Sequence, residues 1–429
     1  MFVLTPPLNR GMVVLNRDAF KTVVKTTAVK VPSKKVITFT KALSKNLFNQ
    51  PRFKNVFSDL EDNNAKLVLL RADLEKTEEL SEQEQELIEK ESLGLVPYEV
   101  KVEYDYWNSD QIFRAVMPEE FLEFPSSFTQ IGHIAHINLR DEYHPWKHLI
   151  GQVILDKNKN IRTVVNKLNS IDTTFRFFKM ELLAGESDMI AEMKESGCKF
   201  KFDFSKVYWN SRLHTEHDRL IQLFKPKEYV CDVFAGVGPF AIPAAKKGSI
   251  VYANDLNPAS FEWMKENIKS NKILDGIYPY NMDGRAFIQQ AVKDLQATTP
   301  NKWKTFDHFV MNLPATAIEF LDAFRGLYSD YKNLYDANAK LPSIHCHCFT
   351  KSSDPLEDIT QRVGKVMGGL PDPVKTTVHW VRNVAPKKDM YCITFPLSSS
   401  IAFETDNKRE LEEDEHQANQ ISQKRKTQN

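Results

Sequence analysis

From residue 229 the chain reads YVCDVF, AGVGPF, AIPAAKKG and SIVYAND, which is an apolar strand, a glycine turn, a helix and a second strand. That order constrains the fold more than any other feature, because a strand, a tight turn and a helix in succession make the unit of a parallel sheet covered by helices. The unit repeats. SFEWMKENIKSN reads as the next helix, and IYPYNMDG, FDHFVMNLP and SIHCHCFT supply later strands, each followed by helical sequence, with DMYCITFPL as a final strand. The fold class predicted for residues 206–402 is α/β, doubly wound and Rossmann-like.

A chain of 429 residues exceeds one ordinary domain. Residues 98–205 mix strand patterns (VPYEVKVEYDYW, GHIAHINLR, TFRFFKMELLAGE, CKFKFDFSKVYW) with a helix at HPWKHLIGQVILDKN, so 96–205 reads as a mixed α+β middle domain. In CKFKFDF, Phe200, Phe202 and Phe204 fall on one strand face. Residues 1–95 read as a small N-terminal domain with an acidic linker, and 64–91 as helical. Residues 403–429 have little apolar content and read as a disordered charged tail, whose QKRK is a weak nuclear-import signal.

Total charge selects no partner, since 57 basic side chains balance 57 acidic ones. Its distribution is uneven: residues 1–50 carry nine Lys or Arg and the single acid Asp18, while 59–91 carry twelve acids and four bases. The acid-poor start suits either an amphipathic mitochondrial transit segment at RDAFKTVVKTTAVKV or an ordinary basic domain. Five cysteines without a CxxC pair fit a reducing compartment. HCHC at 345–348 resembles a ligand cluster, but its alternation reads better as a core strand, so no metal site is expected. No apolar run reaches membrane-spanning length.

In a doubly wound sheet the ligand lies beyond the carboxyl ends of the strands. Gly236 and Gly238 of DVFAGVGPF permit a tight turn close to a ligand, Asp255 of NDLNP ends the second strand, and Asp283 of NMDGR the third. A dinucleotide loop would read GxGxxG and open a helix toward a pyrophosphate, but here Pro239 and Phe240 follow the second glycine. A nucleoside without phosphates fits better, which points to S-adenosylmethionine. Phe234, Leu256 and Gly284 beside these positions complete the expected cradle, and Asn312 of MNLPA can offer its amide to a planar base.

Together PPLNRGM, IGHIAHINLR, MELLAGE, VYWNSRLHTEHDRL, DVFAGVGPFAIPAAKKG, YANDLNP, NMDGRAFI, NLPATAIEFLDAF and RNVAPKKDMYCITF closely resemble the archaeal and eukaryotic class I methyltransferases that act on N1 of guanosine 37 in tRNA. The resemblance spans most of residues 5–400. It implies a class I methyltransferase domain, S-adenosylmethionine as cofactor and tRNA as partner, through both its anticodon stem-loop and its body.

The resemblance also implies roles. Arg212 and Glu216 match the family's guanine-serving pair, and His217 its cofactor-contacting position. Guanine N1 carries a proton at neutral pH, so Glu216 is the expected general base, and Arg212 would stabilise charge on O6. Asn312 would hold the base edge, with Tyr208, Pro314 and Arg176 as further substrate contacts. The bland reading of HTEHDR is a helix start capped by Thr215. In that setting partial burial must offset the helix dipole if Glu216 is to stay basic. One departure is Ser211, where the family often has proline. The rival functions are methylation of another tRNA base, or tRNA binding without catalysis. The family suggests cytoplasm and nucleus, the N-terminus a mitochondrial fraction, and the absence of a surplus apolar stripe a monomer.

Overall fold

The computed structural model describes residues 3–74, 77–121, 123–171, 178–336 and 339–405. It divides into two compact units: residues 1–130, 134–167 and 181–187 form the first, and 131–133, 168–180 and 188–429 the second.

In the first unit, β1 (Thr22–Pro32), β2 (Val56–Ser58), β3 (Ala65–Leu69) and β4 (Gly94–Val102) form an antiparallel sheet in the order β2–β3–β1–β4. The basic segment proposed as an amphipathic transit face is therefore largely β1, paired over nine residues with β4. Its burial is concentrated in the second half, where Ala28, Val29 and Val31 are wholly buried. Residues 64–91 are not one helix. AKLVL is β3, because its β-branched and leucine side chains complete the sheet core, and the helix is confined to Glu82–Glu91, opened by a Ser81–Glu84 capping box. The boundary expected at residue 95 falls inside β4. Next come β5 (Thr129–Ile131), β6 (Ile134–Ile137), β7 (Thr163–Ile171) and β8 (Phe178–Gly185), a second sheet in that order, with the helix Lys147–Lys157 joining β6 to β7.

The second unit opens with the hairpin β9 (Ile190–Glu195) and β10 (Cys198–Asp203), whose Phe200 and Phe202 are buried as the alternation predicts. Then follow β11 (Tyr229–Asp232), β12 (Ile250–Asn254), β13 (Ile277–Tyr280), β14 (His308–Met311), β15 (Ser343–Thr350), β16 (Thr377–Ala385) and β17 (Lys388–Pro396). They form one sheet ordered β13–β12–β11–β14–β15–β17–β16, parallel from β13 to β15, with β17 antiparallel to both β15 and β16. The strand order reverses between β11 and β14, so the crevice beyond their carboxyl ends is the topological switch point. β16, an edge strand that sequence reading missed, has a burial pattern too irregular to announce itself.

HCHC is the buried strand β15, as its alternation suggested. Phe403 is buried against Trp303 and Tyr335, and Glu404 pairs with Arg325 at 2.7 Å, so the tail expected from 403 begins inside the fold. Residues 406–429, with QKRK, lie outside the described residues.

Candidate active site

β11 runs directly into the glycine loop. Gly236 and Gly238 adopt φ of +57° and +98°, which side-chain-bearing residues rarely adopt, and a Cβ on Gly238 would lie 2.7 Å from Ile242 Cδ1. Two bonds brace the loop. Ala235 N–H donates to Asn254 O at 2.7 Å, and Gly236 N–H donates to Asp255 Oδ2 at 2.8 Å. From below, the buried Asn267 donates to Val237 O and accepts from Lys201 N–H, tying the loop to β10.

Asp255 also accepts from Asn257 N–H at 2.9 Å. Burial raises its pKa to about 6 against these two donors and the Ser260 side chain. Both oxygens thus hold backbone first, and a ribose hydroxyl would use the remaining lone pairs. Asp283 is exposed and caps the helix Gly284–Ala297, accepting from Arg285 N–H at 2.9 Å. Gly284 leaves room for aromatics, since a Cβ there would lie 2.9 Å from Phe234 Cε1 and 3.2 Å from the Phe320 ring. Leu256 is 47% exposed at the mouth of β12.

Sequence reading passed over Asp232, the last residue of β11. It is fully buried, neither carboxyl oxygen has a well-formed hydrogen bond, and burial together with Asp255 raises its pKa to about 8. Asn312 Oδ1 is likewise buried without a partner. Unsatisfied acceptors at two strand ends of the switch point are places for a ligand rich in N–H and O–H donors. The amino group, ribose hydroxyls and adenine amine of S-adenosylmethionine are such donors. The only available signal for Asp232 was its position at the strand end before the glycines.

The acceptor side is built by the helix His214–Leu223. Thr215 does not cap it. Asn210 instead accepts from Arg212 N–H in the preceding turn Ser211–Leu213, and the helix follows without a side-chain cap. Glu216 is 3% exposed. Arg219 Nε donates to its Oε2 at 2.7 Å and Nη2 to its Oε1 at 2.8 Å, while His347 Nε2 of β15 donates to Oε1 at 2.7 Å. Burial alone would raise the Glu216 pKa, but the Arg219 and His347 bonds hold it at about 2. The expected balance is therefore reversed, because two cationic donors outweigh desolvation. Burial would also keep His347 neutral, but Cys392 and Glu216 push its pKa up to about 10.

Glu216, His347 and Cys392 bring one donor atom each within 4.8 Å of one another. The Glu216 oxygens are already taken by N–H donors and a cation there would face the Arg219 guanidinium, so the trio is an ion cluster.

His347 joins the two halves of the site. Its ring lies 6.1 Å from that of Phe240 in the glycine loop, and its charge acts on Asp232. His217 bonds to Glu195 and meets Phe240 edge-on at 4.6 Å. Arg212 and the 49%-exposed Tyr208 lie close enough to Arg382 of β16 to act on its charge. Burial first, then Arg212, lowers the Arg382 pKa, and two like charges side by side favour an anion between them. Pro314 lines a cavity of about 340 Å³ with Thr316, Arg362 and Lys365. A second of about 400 Å³ shares Arg362 and adds Lys351 and Lys388. Arg176 lies outside the described residues.

A seven-stranded sheet with one antiparallel strand, a glycine turn after the first strand, and acids at successive strand ends defines a class I S-adenosylmethionine-dependent methyltransferase. Residues 191–334 match the TRM5/TYW2 methyltransferase domain, and 109–188 the TYW2 N-terminal domain. A tRNA (guanine(37)-N(1))-methyltransferase from Schizosaccharomyces pombe is 48% identical, over 91% of this chain and 94% of its own length. One from Batrachochytrium dendrobatidis is 46% identical, over 94% and 92%. Trm5b from Pyrococcus abyssi, a crystal structure, superposes with a TM-score of 0.54 at 27% identity, covering 87% of this chain and 99% of its own. The chain belongs to the tRNA (guanine(37)-N(1))-methyltransferase family.

Proposed function

We infer that this chain transfers a methyl group from S-adenosylmethionine to N1 of guanosine 37 in tRNA, with Glu216 as the general base. Beside the relatives, one observation carries the chemistry: His347 touches both the glycine loop and Glu216, so cofactor cradle and buried carboxylate share one site. When bound, the cofactor supplies an electrophilic methyl group on a sulfonium.

The protein's own residues then have distinct tasks. Arg219 and His347 keep Glu216 ionised and fixed; they fill both lone pairs of Oε1, and Oε2, which accepts only from Arg219 Nε, retains one for the N1 proton. A carboxylate at about 2 is a weak base, so the proton leaves N1 in step with methyl arrival, when the N–H becomes strongly acidic. Arg212 and Arg382 are placed to receive the charge that develops on O6 or to pair with the standing charge of the flanking phosphate, and Asn312 Oδ1 accepts from the base edge. The target nucleotide has to leave its stack to reach this depth. The basic clefts around Arg362, Lys351 and Lys388 suit the adjoining tRNA backbone. We take the monomer as the working unit. Among the described residues no helix is long and apolar enough to cross a membrane.

The test is label transfer from S-adenosylmethionine to transcripts bearing G or A at position 37, with wild type and Glu216→Gln. Label on the G transcript only, lost in the variant, is expected. Equal labelling of both transcripts would remove the acceptor assignment, and a fully active variant would remove the base.

A further inference from the structure

We propose that His379, on the edge strand β16, carries the proton from Glu216 to solvent in each turnover; this rests on the reading of Glu216 as the base. A base that is 3% exposed must be emptied before it can act again, and its two bonded neighbours cannot empty it. Arg219 is a guanidinium, and His347 is held protonated by Cys392 and Glu216.

His379 is placed differently. Its Nε2 lies 3.8 Å from Glu216 Oε2, the oxygen that His347 does not touch, and its side chain is 48% exposed. It therefore lies at the carboxylate while about half of its side chain is open to water. The groups facing it are Glu216 and Arg219 of the helix His214–Leu223, His347 of β15 and Cys392, its register partner on β17. Partial burial and then the Arg219 charge lower its pKa, against Glu216, so the ring is neutral at neutral pH and has a lone pair to offer. The β16–β17 register shifts between Trp380 and Arg382, immediately after His379. Such irregularities re-aim side chains beside active sites. A small ring rotation, or one bridging water, closes the 3.8 Å gap.

The steps balance. The N1–H bond breaks and its proton goes to Glu216 Oε2, while the electron pair left on N1 forms the bond to carbon and the S–C pair stays on sulfur. The Oε2–H proton then passes to His379 Nε2, and the imidazolium gives its proton to buffer, returning to neutral.

The experiment uses the full chain, a G37 transcript, and His379→Ala and His379→Gln, with S-adenosylmethionine affinity as the check of folding. Both variants should lose about tenfold or more in kcat while KM for tRNA stays at its wild-type value. Free imidazole should restore the alanine variant, whose cavity admits it, and should leave Glu216→Gln inactive. Wild-type kcat in either His379 variant, with Glu216→Gln inactive, would refute the relay and spare the base. A loss that imidazole does not restore would make His379 a packing residue. An active Glu216→Gln would remove both readings.

Discussion

Replacing His347 by Asn tests the ion cluster by itself. The amide keeps an N–H for Glu216 but cannot carry a proton, so the variant differs from wild type chiefly in charge. In the folded protein the His347 pKa rises from 6.5 to about 10, so unfolding releases a proton anywhere between these values. A raised pKa stabilises fully below 6.5, and that stabilisation declines as pH rises and is gone above about 10. One proton corresponds to about 1.4 kcal/mol per pH unit, and the whole interval to about 3–5 kcal/mol, which is also the usual cost of breaking a buried pair. Urea unfolding of the cofactor-free protein, followed by tryptophan fluorescence at stepped pH, measures it. The stability gap between wild type and His347→Asn should be widest near 6.5 and close by about 1.4 kcal/mol per unit above it. Taking the difference cancels Asp255, on which His347 does not act, whereas Asp232 loses the His347 charge that lowers its pKa and so titrates higher in the variant. A gap constant with pH would mean that His347 is neutral and that Arg219 alone keeps Glu216 ionised.

Two further substitutions test the cradle. Asp255→Ala removes the acceptor of the Gly236 and Asn257 N–H groups, so S-adenosylmethionine affinity measured calorimetrically should fall by about 2–3 kcal/mol, roughly 30- to 150-fold; an unchanged affinity would make Asp255 dispensable. Gly284→Ala puts a methyl group 2.9 Å from the Phe234 ring and should cost about 1–3 kcal/mol in thermal or urea unfolding, although alanine suits a helix better; a stabilised variant would show that the rings yield freely.

What could be read from the linear chain is what depends on neighbours in sequence. The strand–turn–helix rhythm, the positive-φ glycines, the acids at strand ends and the phenylalanine face of β10 are set by local periodicity and backbone sterics. Helical and strand periodicity fail where burial overrides propensity, as at 64–91, where a sheet core claimed β3. Tertiary structure alone decided the chemistry of the acceptor side. Glu216 meets His347 across 131 positions, and His379 only because β16 closes the edge of the sheet; their pKa values follow from those approaches. The same holds for Asp232, an ordinary strand-end acid in the sequence and an unsatisfied one in the fold. A carboxylate's basicity depends on which cations and how much water surround it in space, and no spacing along the chain records that.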